Sequence, residues 1–213
     1  MVEVTLRIIR NELVTISGPD GNPTTALRQT KNRAEGASYG GPGSQTPYQI
    51  NNIQNDPSET YFTWWHRYDD LASLTNGDGN WRMLWQYKTQ LWDQPSGFRT
   101  SIFLQSDSSG RLYWRTIGDT KLPQSSNTVW AENSTAQVPK EQWFKVEIYV
   151  KWSSGSDGRF WAKINGVEIA NHNGPNIGPR PDSLRWIGIW QFYGPGNGQQ
   201  WIDDYQIWDG VPF

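Results

Sequence analysis

In the stretch LRWIGIWQFY, Trp186, Trp190 and Phe192 fall on every second or fourth position, with Gly188 between the two tryptophans. On an extended strand these positions share one face, and Trp186 and Trp190 stand roughly 13 Å apart at about 3.3 Å per residue. Indole faces are flat and apolar, as are the C–H faces of sugar rings, so this spacing suits two separate rings of one glycan chain. A glycine between them lowers the surface and lets a ligand approach the backbone. The competing reading is that both tryptophans fill the space between two sheets, since Trp is a largely buried residue. A second set lies in NWRMLWQYK, where strict alternation puts Arg82, Gln86 and Lys88 on one face and Trp81, Met83, Trp85 and Tyr87 on the other. Those polar groups could bond sugar hydroxyls or pair with a carboxylate. They could equally form an ordinary solvated sheet face.

Acid–base and metal chemistry have fewer candidates. His66, in TWWHRYDD, alternates with Phe62, Trp64 and Tyr68 and could serve as a base. The bland alternative is a structural histidine in an aromatic strand. With two histidines and no cysteine, a zinc or copper centre is not expected, nor is any disulfide. Asp204, with Asp203 and Asp209, could contribute to a structural Ca²⁺ site built from oxygen ligands. Otherwise these carboxylates simply solvate a turn.

Such residues need strands to hold them, and the chain is written in strands. TYFTWWHRY, NWRMLWQYK, RTSIFLQS, GRLYWRT, QWFKVEIYVKW, RFWAKING, LRWIGIWQFY and QWIDDYQIW are rich in aromatic and β-branched residues. Turn sequences such as TNGDGN, SDSSG, SSGSDG and GPGNG separate them. In QWFKVEIYVKW, Phe144, Val146, Ile148, Val150 and Trp152 share one face against Lys145, Glu147, Tyr149 and Lys151, a half-buried antiparallel strand. One short helical piece is predicted at Asp69–Leu74. Residues 18–60 read as long loops around one or two short strands, and the N-terminal MVEVTLRIIRNELV reads as a first strand rather than a secretory signal. The net charge is −2, so nucleic acid or an anionic membrane has no electrostatic attraction for the chain. No apolar run approaches the roughly 18 residues of a membrane span.

The stretch WFKVEIYVKWSSGSDGRFWAKINGVEIANHNGPN resembles the concanavalin A-like jelly-roll polysaccharide lyases of the heparin lyase I and glucuronan lyase kind. MLWQYK is similar to their Q-x-H strand, WIGIWQF to their K-x-G-x-Y strand, and IDDYQIW to their closing strand. The resemblance covers roughly residues 60–210 and implies that the Gln86 face is the concave, ligand-facing one. At the lyase catalytic positions the chain departs. Lys88 stands where the pattern has His, and Trp186 and Trp190 stand for Lys and Tyr. Tryptophan can neither accept nor supply the proton that lyase chemistry moves. The E-x-D-x-x-E strand of laminarinase-type glucanases, which would supply a facing carboxylate pair, does not occur.

The expectation is therefore an all-β, concanavalin A-like jelly-roll sandwich of two antiparallel sheets, a single domain over residues 1–213 with a loop-rich first third. Its expected activity is binding of a polysaccharide or oligosaccharide without cleavage. Trp186, Trp190 and Phe192 would stack sugars, and Arg82, Gln86 and Lys88 would bond them. No cofactor is required beyond a structural Ca²⁺ at Asp204, and no nucleic acid or membrane partner is expected. An extracellular or cell-surface setting follows from that activity, while the oligomeric state is not specified by the residues. Two alternatives stay open: a lyase or hydrolase of the same fold using His66, Tyr68 and Lys88, with Tyr113 in reserve, and a structural or adhesion domain.

Overall fold

The computed structural model describes residues 8–32, 49–53, 57–75, 81–89, 98–119, 127–177, 185–189 and 197–212. Along the chain these residues form β1 (Ile8–Ser17), β2 (Pro23–Asn32), β3 (Gln49–Ile53), β4 (Glu59–Tyr68), one helical turn α1 (Ala72–Thr75), β5 (Trp81–Thr89), β6 (Arg99–Ser106), β7 (Leu112–Asp119), β8 (Asn127–Asn133), β9 (Trp143–Lys151), β10 (Arg159–Ile164), β11 (Val167–Asn173), β12 (Arg185–Ile189) and β13 (Gly198–Trp208). One sheet runs β1-β2-β13-β4-β9-β10-β11 and the other β3-β12-β5-β6-β7-β8. Every pairing is antiparallel. The last strand, β13, is threaded between β2 and β4, so the seven-stranded sheet closes only when the C-terminal segment arrives.

The period-two pattern of β9 becomes its burial pattern, with Phe144, Val146, Ile148 and Val150 inside. On β4 the inner residues are Phe62, Trp64, His66 and Tyr68, none of them exposed. The other sheet contributes Trp85, Tyr87, Ile102, Leu104 and Trp114. Aromatic rings join the two layers at tilted angles: Phe62 to Trp85 at 5.9 Å, Trp85 to Phe160 at 5.9 Å, Tyr87 to Trp152 at 4.5 Å and Trp114 to Phe144 at 5.9 Å. Offset and edge contacts of this kind match the ring quadrupoles. Trp64, Trp85, Trp114 and Trp152 thus lie buried in this core.

Two turns lock the β9–β10–β11 arm. Asn165 and Gly166 take φ of 49° and 78°, the left-handed pair that an Asn-Gly hairpin turn requires. The Asn165 side-chain oxygen also accepts the Lys145 N–H at 2.8 Å. Buried Asn176 accepts from Ser153 N at 3.1 Å and donates to the carbonyls of Lys151 at 2.8 Å and Arg159 at 3.1 Å, fastening the loop after β11 to the β9–β10 turn. At the opposite edge, Trp130 on β8 stacks on His172 of β11 at 3.8 Å and 2°, joining the rims of the two sheets. Gly118 makes room for that indole, because a Cβ there would strike Trp130.

Candidate functional site

Of the two outer faces, that of the six-stranded sheet carries Gln86, one of the polar residues singled out from the sequence. Alternation along β6 puts Thr100, Ile102 and Leu104 inward and Arg99, Ser101, Phe103 and Gln105 outward. Register then assigns the neighbours. Gln86 pairs with Ser101, which pairs with Ile117; Met83 pairs with Phe103, which pairs with Arg115; Gln105 lies between Trp81 and Tyr113. Gln86 donates to Ser101 Oγ at 2.9 Å, and both side chains are buried as a polar floor of this face. Around that floor, Trp81 meets Phe103 edge-on at 5.4 Å, and Arg115 reaches Gln105 at 3.3 Å and Glu132 at 3.4 Å.

The β12 backbone runs alongside: Gly188 pairs with Gln86 and Trp186 with Lys88, while Lys88 pairs with Arg99 across β5 and β6. The register thus lines up position 186 with Lys88, and 188 with Gln86. Trp190 and Phe192 lie outside the described residues, as do the side chains of Trp186 and Lys88.

Arg82 corrects the alternation read from the sequence. Met83 pairs with Phe103 and Trp85 with Ile102, so Leu84 is an extra residue in β5, a β-bulge. One inserted residue reverses the faces on either side of it. Arg82 therefore lies opposite inward-facing Leu104 and points into the sandwich, with no exposed surface. Its guanidinium pairs with Asp69 at 3.2 Å, donates to Ser73 Oγ at 2.9 Å and to the Asn197 carbonyl at 3.0 Å, and sits 5.7 Å over the Tyr68 ring. Asp69 also accepts from Gln199 N at 2.6 Å, and Gly198 passes so close that any Cβ would strike Asp69. Arg82 is a staple joining the start of β5, the α1 region and the start of β13, rather than a group on the Gln86 face.

The alternative acid–base set is also relocated. His66 and Tyr68 stand between the sheets, both 0% exposed, against each other at 4.4 Å and against Phe144 at 5.2 and 5.6 Å. Burial, with a smaller contribution from the Arg82 charge, pushes His66 down to about 3, so the imidazole is neutral. Burial likewise raises the Tyr68 phenol well above its ordinary value. Neither can reach a ligand lying on an outer face. Asp204 adopts φ of 47° in the bulge of β13 that lies between Asp203 and Gln206. Its carboxylate accepts from Gln206 at 2.8 Å, and among the described residues no three carboxylate or imidazole side chains gather into a metal-binding group. Of the closing-strand tryptophans, Trp201 lies under Arg67 at 5.4 Å, while Trp208 is 45% exposed.

Ser101, Arg99, Gln105 and Arg115 were missed in the sequence, although the alternation of RTSIFLQS held the signal. Only strand pairing reveals that Ser101 lies opposite Gln86 and that the others share its face.

Neither protein-family models nor curated protein sequences match the chain. Solved structures do. An alginate lyase in complex with an alginate trisaccharide superposes with a TM-score of 0.65 at 14% identity, covering 85% of this chain and 80% of its own. The endo-β-1,4-glucuronan lyase of the fungus Trichoderma reesei gives 0.58 at 14% identity over 96% and 91% of the two chains. The marine alginate lyase of Aplysia kurodai gives 0.60 at 11% identity over 92% and 86%. The chain has the jelly-roll fold of these polysaccharide lyases. At such identities the likeness is one of fold.

Proposed function

We propose that this jelly-roll domain binds a polysaccharide on the outer face of its six-stranded sheet and does not cleave it. The observation that carries the reading is a separation of groups. The hydrogen-bonding residues Gln105 and Arg115 line that face beside the buried Gln86–Ser101 pair, whereas His66 and Tyr68, two of the candidates to replace a missing lyase acid and base, are sealed between the sheets. Trp186, Trp190 and Phe192 supply stacking surfaces and Lys88 a charge beside Gln86, as the sequence reading has it. Affinity is that of a shallow, wet site, about −4 to −8 kcal/mol. The glycan setting implies an extracellular or cell-surface location, and a structural Ca²⁺ near Asp204 remains part of the proposal.

A lyase reading draws on one observation: Tyr113 lies on the same face as Arg115, across from Gln105, so a phenol and a cation flank the floor. Titration of neutral glucans, xylans and mannans and of uronate polymers, with tryptophan fluorescence and product formation read together, tests both. Binding without new reducing ends or unsaturated uronate absorbance, weakened by Gln86→Ala and Trp190→Ala, supports the binding domain. Product with any polymer, lost in Tyr113→Phe, establishes an enzyme. Silence across the panel defeats both.

A further inference from the structure

We propose that the outer face of the seven-stranded sheet is a second ligand surface, a shallow groove for an acidic polysaccharide that carries carboxylate or sulfate groups on its rings. It lies on the far side of the sandwich from the Gln86 face and does not depend on that face. Alternation gives its floor. On β4, Trp64, His66 and Tyr68 are buried, so Trp65 and Arg67 face outward. On β9, Phe144 and Val146 are buried, so Trp143 and Lys145 face outward. Register sets Arg67 opposite Trp143 and Trp65 opposite Lys145. The four form a checkerboard, with tryptophans on one diagonal and cations on the other, each diagonal about 7–8 Å long. Trp201 of β13 extends it beyond Arg67. All five side chains are half-buried.

The two cations are not neutralised within the protein. The Arg67 guanidinium rests over the Trp201 ring at 5.4 Å. Among the described residues, neither Arg67 nor Lys145 has a carboxylate within ion-pair distance, whereas Arg28, Arg111, Arg115 and Lys151 each have one. Of the neighbouring carboxylates, Glu147 accepts from the Tyr61 hydroxyl at 2.6 Å. Asp203 lies across Trp65 from Lys145, with its Oδ1 on the Asp204 N–H.

The β1–β2 hairpin adds a wall. β2 stays paired with β13 only as far as Leu27–Ile202, yet β1 and β2 pair on to Ser17–Pro23. The Ser17 carbonyl accepts the Trp143 indole N–H at 2.8 Å, although β13 and β4 separate β2 from β9 in the sheet. The hairpin end therefore arches over the outer face and holds the Trp143 ring in place.

A floor of indoles and two unpaired cations fits sugar rings that bear anions. Apolar ring faces stack on the indoles, and the anions meet Arg67 and Lys145. Single-stranded nucleic acid carries a charge at every nucleotide, for which two cations beside Asp203 and Glu147 are a poor match.

The test is calorimetric titration of the whole chain at low salt with polygalacturonate, dextran sulfate, uncharged dextran and oligo-dT. It is run in the Gln86→Ala, Ser101→Ala double variant, so that the other face adds nothing. Polygalacturonate or dextran sulfate should still bind, and which of them does so tells carboxylate from sulfate recognition. Dextran and oligo-dT should bind far less, and added salt should weaken the acidic polymer. Arg67→Gln and Lys145→Ala should each lower that affinity roughly tenfold. Lys145→Ala trims a half-exposed side chain, so it stays informative if Arg67→Gln fails to fold. No acidic polymer bound in the double variant overturns the proposal and leaves the Gln86 face standing. Equally tight oligo-dT, or an affinity indifferent to both cations, also overturns it. Affinity equal in the native chain and the double variant, yet lost in Lys145→Ala, upholds this groove and defeats the Gln86 face instead.

Discussion

Trp64 donates its indole N–H to His66 Nδ1 at 3.3 Å, within one inward face of β4. The bond fixes the tautomer of an imidazole that has no exposed surface, and it makes acid the enemy of this core. His66 is pushed down to about 3 in the folded chain, first by burial and then by the Arg82 charge, against an ordinary value near 6.5. A base whose folded pKa is depressed binds its proton more readily unfolded, so its stabilisation is complete above about pH 6.5 and drains as pH falls toward 3. The slope approaches about 1.4 kcal/mol per pH unit. Urea melts at pH 4, 5 and 7 should show that loss, and His66→Gln should flatten it. An equal slope in the variant would assign acid sensitivity to other groups.

Arg82→Met should cost about 3–5 kcal/mol, because it strands the partly buried Asp69 carboxylate. Glycan titration of the folded fraction should be unchanged within error, since Arg82 faces away from Gln86. A variant of normal stability that binds glycan poorly would return Arg82 to the ligand face.

Asn176→Ala removes three partly buried hydrogen bonds to the backbone at once. A loss of about 2–4 kcal/mol is expected, because the carbonyls of Lys151 and Arg159 lose the donor that the buried Asn176 side chain supplies. Amide exchange should quicken first in residues 151–159. Uniform quickening along the chain would mean that the clamp acts on global stability alone.

Gly118→Ala should displace Trp130 from His172 and cost about 1–3 kcal/mol by overpacking. His172 lies below its ordinary value chiefly through burial, so uncovering it should move its titration upward. Proton NMR of the imidazole reads this directly, and an unmoved titration would count against the stack as the cause.

Gln86→Ala together with Ser101→Ala should remove the polar floor of the six-stranded sheet while leaving its inward side intact. Glycan affinity should fall roughly tenfold, about 1.4 kcal/mol, with melting changed little beyond the lost hydrogen bond. Isothermal titration beside thermal melts separates the two. An unchanged affinity would move the ligand elsewhere.

The residues of this chain determine by themselves whatever depends on neighbours in sequence. Alternation in β9 alone predicts that Phe144, Val146, Ile148 and Val150 are buried, because side-chain direction on a strand has period two. Asn165-Gly166 predicts its hairpin because few residues tolerate two successive positive φ values. The jelly roll itself was legible through short motifs such as WFKVEIYVKW and IDDYQIW. Tertiary structure decided the rest. Leu84 bulges only because β6 dictates the register of β5, and that one unpaired residue turns Arg82 from a ligand-facing group into an internal staple. His66 reads as a possible base until β5, β9 and β13 close around it. Ser101 becomes the neighbour of Gln86, and Arg115 joins the same face, only through pairings across β5, β6 and β7. Facing is a local property; which face meets solvent is set by strands far away in the chain.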